Sequence, residues 1–148
     1  MTTTTHVARA VGVTSASAPQ WRVELRSGTH HLVADEPTTM SGGDAGPTPF
    51  GLLLCSLAAC TAMTLRLFAE RRGWQLAAIE VSVVYNVADV EGASIVRTIS
   101  LPSELTDDQR GRLADVAERT PVTMAIRGGT PITTSIGAVE TPTPRPTS

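Results

Sequence analysis

One run without charged residues, PFGLLLCSLAACTAMTL from Pro49 to Leu65, decides the fold of this chain. Thr48 precedes the run as a capping hydroxyl and Pro49 suits a first helical position, so the run predicts the start of a helix. Charged residues mark only its far end, and Gly73 is the expected stop after Arg72. The first four turns are apolar on every face, and such a helix must be enclosed on all sides.

Enclosure of this helix calls for a second copy of the protein. A chain of 148 residues has the size of one domain, and its other apolar segments are modest. A membrane span is the alternative, but the uncharged run would measure about 25 Å along a helix, whereas a bilayer core needs roughly 30 Å. We therefore expect a helix buried in a protein homodimer, with no membrane partner.

The residues before the central helix predict a β-hairpin. Trp21, Val23 and Leu25 alternate with charged side chains, which is the period of a half-buried strand. Ser and Gly at residues 27–28 supply a turn, and the chain returns as a second strand over residues 31–34.

A second hairpin and a second helix are predicted after the central helix. Residues 79–87 and 95–101 have the composition of strands, and residues 89–93 would join them as a hairpin. Thr106 is followed three residues later by Gln109, which predicts a capping box at the start of a helix.

The segregation of helices and strands predicts the α+β class. A last strand over residues 131–136 would complete the order β-β-α-β-β-α-β. Residues 1–19 and 140–148 lack apolar periodicity and are expected to be mobile ends, the second of them rich in Pro and Thr. A single domain therefore spans residues 20–139.

Composition excludes several classes of function. A net charge of −2 with 12 basic residues gives no basic surface, so nucleic acid is not an expected partner. Two cysteines are too few for a disulfide framework, and residues 1–20 lack the charged start and apolar stretch of a secretory signal. We expect a soluble protein of the reducing cytoplasm.

The two cysteines are the candidates for chemistry. Cys55 and Cys60 are five residues apart on one predicted helix, which separates them by about 140° around its axis. At that separation they cannot form a disulfide without unwinding the helix, and the spacing does not suit a pair of metal ligands. For each cysteine, two interpretations stay open: a small buried core residue or a reactive thiol.

Several segments around Cys60 carry a resemblance to a known family. They include GGDAGPTPF at residues 42–50, ACTAMTL at residues 59–65, AERRGW at residues 69–74 and RTPV at residues 119–122. This series resembles the central motif of the OsmC/Ohr superfamily (osmotically inducible protein C and organic hydroperoxide resistance protein), in particular its branch of predicted redox proteins. The resemblance implies an OsmC-like fold in which the long central helices of two subunits pack between sheets, as an intertwined homodimer.

The resemblance also implies thiol chemistry at Cys60. In the peroxidase members, a thiolate on the central helix attacks the O–O bond of an organic hydroperoxide. The resulting sulfenic acid condenses with a second cysteine, and an external dithiol reduces the disulfide. Cys60 matches the attacking position, and Arg26 is the nearest match for the arginine that stabilises the thiolate, with Arg22 as an alternative. The expected contacts of a small hydrophobic hydroperoxide or another apolar ligand are Phe50, Met63 and Thr120.

Two departures from the family pattern matter. Thr120 stands where the second cysteine belongs, so Cys60 would follow a one-cysteine cycle with an external thiol reductant and no bound cofactor. Phe50 and Gly51 stand where the family commonly has a carboxylate that orients the arginine. The alternative hypothesis is therefore a redox-inactive protein whose apolar pocket at the dimer interface binds or transforms a small hydrophobic metabolite.

Overall fold

Three antiparallel strands form the first layer of the protein. A computed structural model describes residues 8–88 and 92–138 of the chain. The strands are β1 (Val11–Val13), β2 (Val23–Ser27) and β3 (His30–Ala34), in the spatial order β1-β2-β3. The predicted β2–β3 hairpin is confirmed, with Gly28 in its turn at φ 59°. The sequence does not predict β1, which pairs with residues 24–26, and this corrects the expectation of a mobile segment there.

A buried carboxylate organises the loop between β3 and the central helix. Asp35 accepts hydrogen bonds from the backbone N–H groups of Glu36 at 2.8 Å, Gly43 at 3.1 Å and Ala45 at 3.1 Å. These bonds, that from Ala45 above all, hold the pKa of Asp35 below its ordinary value. Gly42 is required by close approach, because a Cβ there would overlap the carbonyl oxygen of Glu36.

The central helix α1 spans Pro49–Glu70 and confirms the predicted boundaries to within two residues. Thr48 caps it, since its Oγ1 accepts a hydrogen bond from the backbone N–H of Gly51 at 3.0 Å. Gly73 follows the last turn at φ 70°, the left-handed conformation that ends many helices.

A two-stranded antiparallel sheet follows α1. Its strands are β4 (Glu80–Ala88) and β5 (Gly92–Ser100), paired from Glu80 opposite Ser100 to Ala88 opposite Gly92. Both strands are confirmed, with shifts of one to three residues at their ends. The predicted turn at residues 89–93 lies mostly outside the described residues.

Two helices then follow in place of a helix and a strand. Helix α2 (Asp107–Ala117) begins at the predicted capping box, in which Thr106 and Gln109 exchange hydrogen bonds. Helix α3 (Pro121–Gly128) is not predicted. Residues 131–138 form neither helix nor strand, so the predicted last strand is wrong. The class remains mixed helix and sheet, in the order β-β-β-α-β-β-α-α.

The core lies between the second half of α1, α2 and the β4–β5 sheet. Leu65, Leu113 and Ala117 form its fully buried centre. On α1 the buried positions recur every four residues, which places them on one side that we call the inner face; it consists of Leu57, Thr61, Leu65 and Ala69.

The opposite side of α1 has no cover in the described residues. Leu53, Met63 and Leu67 are exposed there, and we call this side the outer face. By length and composition alone α1 could cross a membrane, as could the core helix of many soluble proteins. In this chain α1 packs on β4, α2 and α3.

The three-stranded sheet stands apart from this core. Among the described residues, β1, β2 and β3 pack extensively on one another but not on α1, α2, α3 or the β4–β5 sheet. The loop around Asp35 is therefore their main connection to the rest of the chain.

Candidate functional site

Cys60 lies in the middle of α1, on the outer face. It is half-buried, whereas Cys55 is exposed, and neither is in a disulfide. Leu53 and Leu67 stand seven residues before and after Cys60, so all three lie within about 20° of one line along the helix. Within residues 8–88 and 92–138, no three His, Cys, Asp or Glu side chains form a metal-binding group.

The residue after Cys60 is fixed on the inner face by two hydrogen bonds. Thr61 is fully buried, and its Oγ1 donates to the carbonyl oxygen of Leu57 at 2.7 Å. The same oxygen accepts a hydrogen bond from Nη1 of Arg97 on β5 at 3.0 Å. A guanidinium group therefore lies on the packed side of α1, beside the turn that carries Cys60.

Arg97 connects the central helix to α3 and to the residues just before it. Its side chain is only 11% exposed. Nη1 also donates to Thr123 Oγ1 at 2.8 Å, and Nη2 donates to Glu118 Oε1 at 3.2 Å. Thr123 Oγ1 in turn lies 2.7 Å from Oγ1 of the buried Thr120. We call these residues, together with Thr61 and Arg127, the Arg97 cluster.

Glu118 is shared by two arginines. Its Oε2 accepts from Nη2 of Arg127 at 2.5 Å, while its Oε1 accepts from Arg97. The hydrogen bond from Arg127, aided by the positive charges of both arginines, holds the pKa of Glu118 below its ordinary value. One carboxylate thus faces two guanidinium groups.

A pocket of about 480 Å³ opens beside the Arg97 cluster, between α1, the β4–β5 sheet and α3. This volume falls within the usual range for small-molecule sites. Cys60 is not among the described residues that line this pocket. The lining residues are Leu57, Tyr85, Ala93, Ser94, Ile95, Arg97, Thr123, Ile126 and Arg127.

The structure distributes the site residues expected from sequence over separate places. Arg26 lies on β2, exposed and opposite Val11 and His31 of the neighbouring strands. Phe50 stacks on Tyr85 of β4, with ring centroids 4.6 Å apart. Met63 is 71% exposed on the outer face. Thr120 alone belongs to the Arg97 cluster.

Arg97 is the residue that sequence reasoning missed, although a signal for it exists. Ile95, Arg97 and Ile99 alternate along β5 and therefore point to the same side of the sheet. A charged residue at such an inward position requires hydrogen-bonding partners, since an unpaired buried charge is costly. The sequence alone does not indicate which residues those partners are.

Comparisons with known proteins agree with this architecture. The family model described as OsmC-like protein matches residues 42–135. A similar solved structure is an OsmC-like protein from Mycoplasma pneumoniae, at 18% identity and a TM-score of 0.69, covering 84% of this chain and 89% of that one. Among curated proteins, no relative matches the chain.

Two further solved structures are named for hydroperoxide resistance. One is an organic hydroperoxide resistance protein OsmC, predicted redox protein, from Legionella pneumophila, with 18% identity, a TM-score of 0.60, and coverage of 85% of this chain and 93% of that one. The other is the organic hydroperoxide resistance protein OhrB of Bacillus subtilis, with 21% identity, a TM-score of 0.57, and coverage of 84% and 93%. At these identities the likeness shows the fold.

Proposed function

This chain belongs to the OsmC-like protein family, and we propose that it reduces organic hydroperoxides with the thiol of Cys60. The family match and the hydroperoxide resistance proteins of the same fold support a peroxide-related redox role at the level of the family. Cys60 itself is the residue that the sequence motif assigns to the attacking position.

The position of Cys60 on α1 is the observation that carries the proposal. A peroxidatic thiol must be reachable by substrate and also sheltered from bulk water, and Cys60 is half-buried at the edge of an apolar surface. Cys55, on the same helix, is exposed and has no comparable setting. The chain thus contains its own control for a general thiol effect.

The proposed working form is a cytoplasmic homodimer. Leu53, Met63 and Leu67 expose an apolar strip along α1, and the three-stranded sheet lacks extensive contact with the described part of its own core. A second copy placing its α1 and its sheet on this strip would cover both surfaces. Cys60 would then lie near the junction of the two subunits.

The proposed reaction needs no resident cofactor. The Cys60 thiolate attacks the distal oxygen of ROOH, the O–O bond breaks, and RO⁻ leaves and takes up a proton to give ROH, with Cys60 as the sulfenic acid. One external thiol then forms a mixed disulfide with Cys60 and releases water. A second external thiol breaks that disulfide, so two thiols are oxidised for each hydroperoxide reduced.

Two arginines are candidates for stabilising the thiolate. Arg97 acts from within the subunit, through the packed side of α1 next to Thr61. Arg26 lies on the three-stranded sheet, so in the proposed dimer it would serve Cys60 of the partner subunit. Phe50 and Met63 are the proposed apolar contacts of the substrate, and Thr120, at the position of the family's second cysteine, makes the one-cysteine cycle necessary.

A second candidate function is binding without redox chemistry. The pocket beside the Arg97 cluster favours it, because that pocket has the volume for a small metabolite and Cys60 does not line it. The protein would then bind or transform a small apolar ligand, with Cys60 as a packing residue.

The test combines turnover with trapping of the intermediate. The purified protein is mixed with cumene hydroperoxide and dithiothreitol, peroxide loss is measured, and dimedone captures any sulfenic acid for mass spectrometry. We expect turnover and a dimedone adduct at Cys60. Cys60→Ser should lose both, while Cys55→Ser should keep both.

Two outcomes contradict the proposal. Equal rates for Cys60→Ser and the unmodified protein would remove Cys60 from the reaction. Absence of both turnover and adduct, in protein that still binds a ligand in the pocket, would favour the second candidate function.

A further inference from the structure

The wall of the pocket beside the Arg97 cluster has two chemically different ends. Ala93, Ile95 and Arg97 alternate along one side of β5, so the pocket extends about 13 Å from Arg97 to Ala93. Tyr85 pairs with Ile95 across the sheet, and Ile126 of α3 lies on the opposite wall. One end is therefore cationic and the rest is mostly apolar.

The cationic end has one positive charge in excess. Arg97 and Arg127 both line the pocket, and among the described residues Glu118 is the only carboxylate paired with either. Glu118 is 55% exposed at the surface, so it compensates the buried guanidinium of Arg97 only in part. A buried cation of this kind is stabilised by a further anion.

Arg97 also has donors left for a ligand. A guanidinium carries five N–H groups, and three are engaged by Thr61, Thr123 and Glu118. None of these contacts uses Nε, and no side-chain nitrogen in the described residues is both fully buried and without a partner. Nε is thus accessible from the pocket or from solvent.

We propose that this pocket binds a small amphipathic monocarboxylate, with its carboxylate on Arg97 and Arg127 and its apolar body along Ile95, Tyr85 and Ile126. A planar carboxylate matches the fork of a guanidinium, and its single charge matches the single excess charge of the wall. The inference rests on the pocket and not on the peroxidase proposal, and it holds even if Cys60 is unreactive.

The test is calorimetric titration of the full chain with three eight-carbon probes: n-octanoate, 1-octanol and octyl phosphate. We expect octanoate to bind at one site per chain and at least about tenfold more tightly than octanol, because only octanoate gains charge-assisted hydrogen bonds. Added sodium chloride should weaken octanoate binding and leave octanol binding unchanged.

Matched arginine variants locate the binding. Arg127→Gln should weaken octanoate binding about tenfold, because it removes one of the two cations. Arg112→Gln is the control: Arg112 is an exposed arginine paired with Asp108 on α2, away from the pocket, and its loss should leave affinity unchanged. Cys60→Ser should also bind octanoate normally, which separates this result from the outcome of the peroxidase test.

A variant at the apolar end of the pocket blocks the ligand with a substitution that should not disturb folding. Ala93→Phe places a large ring at an exposed strand position and should weaken octanoate and octanol alike by filling the pocket. Equal binding of octanoate and octanol, equal effects of Arg127→Gln and Arg112→Gln, or no binding of octanoate would each overturn the proposal. Tighter binding of octyl phosphate would overturn the assignment to a carboxylate.

Discussion

The inner and outer faces of α1 have similar side chains but opposite surroundings. Leu57, Leu65 and Ala69 on the inner face are buried, whereas Leu53 and Leu67 on the outer face are exposed. Composition therefore does not decide which face of this helix is covered. The neighbouring elements decide, and in the described part of the chain β4, α2 and α3 cover one face of α1 only.

The largest effect on this comparison should come from a cavity on the inner face. Leu65 is fully buried in the core, so Leu65→Ala should lower the free energy of unfolding by about 2–5 kcal/mol. Urea unfolding followed by circular dichroism measures the change. If a second copy covers the outer face, the matched variant Leu53→Ala should lower the free energy of unfolding more at high protein concentration than at low concentration. At low concentration its effect should be smaller than that of Leu65→Ala. A concentration-independent cost for Leu53→Ala would contradict that difference.

A charge on the outer face should break the proposed dimer and leave the subunit folded. Leu67→Asp introduces a carboxylate into the apolar strip and should weaken self-association about a hundredfold, or about 2.8 kcal/mol. Sedimentation equilibrium gives the mass, and Leu67→Met, which keeps the strip apolar, is the control. The same mass in solution for Leu67→Asp and Leu67→Met would contradict the proposal that a second copy covers the outer face.

A smaller effect is expected where the inner face is polar. Thr61→Val keeps the shape of the side chain but removes an acceptor of Arg97, and should lower the free energy of unfolding by about 1–3 kcal/mol. Thr64 lies one turn after Thr61 along α1 and closer to the outer face. Thr64→Val should lower the free energy of unfolding by less than about 0.5 kcal/mol. Similar costs for both variants would show that the hydrogen bond to Arg97 adds little.

The smallest predicted effect is a loss of stability at low pH. Asp35 and Glu118 have folded-state pKa values below their ordinary 3.8 and 4.5, so the folded chain takes up their protons less readily than the unfolded chain. Their contribution to stability is present at neutral pH and is lost as the pH falls through this region. The urea midpoint should decline below about pH 5. Asp35→Asn should make that decline shallower, and an unchanged slope would remove Asp35 from the explanation.

The local part of the fold was predictable because local chemistry determines it. Thr48 with Pro49, the stop at Gly73, and the capping box of Thr106 and Gln109 are each satisfied by residues within a few positions. The sequence also carries a signal for α3, because Thr120 and Pro121 repeat the Thr-Pro pair that begins α1, although the Thr120 hydroxyl bonds Thr123 and does not cap the helix. The missed helix was therefore within reach of the sequence.

The candidate site was less predictable because its contacts are distant along the chain. Arg97 meets Thr61 and Thr123 from 36 and 26 residues away, and no short motif connects them. The apolar composition of α1 also gave no indication that Thr61 would place a hydrogen-bonding hydroxyl on the inner face. The location of Arg26 depends on how the three-stranded sheet is placed, and the sequence gives no local signal for that.

The isolation of the three-stranded sheet has a consequence for how the protein is made. Its strands leave the ribosome before α1 does, and within residues 8–88 and 92–138 they have few contacts with the helices and the β4–β5 sheet. In the proposed dimer they would stay exposed until another newly made subunit arrives, so their amides should exchange with heavy water sooner than those of the core helices. Synthesis of neighbouring copies from one message would shorten that wait.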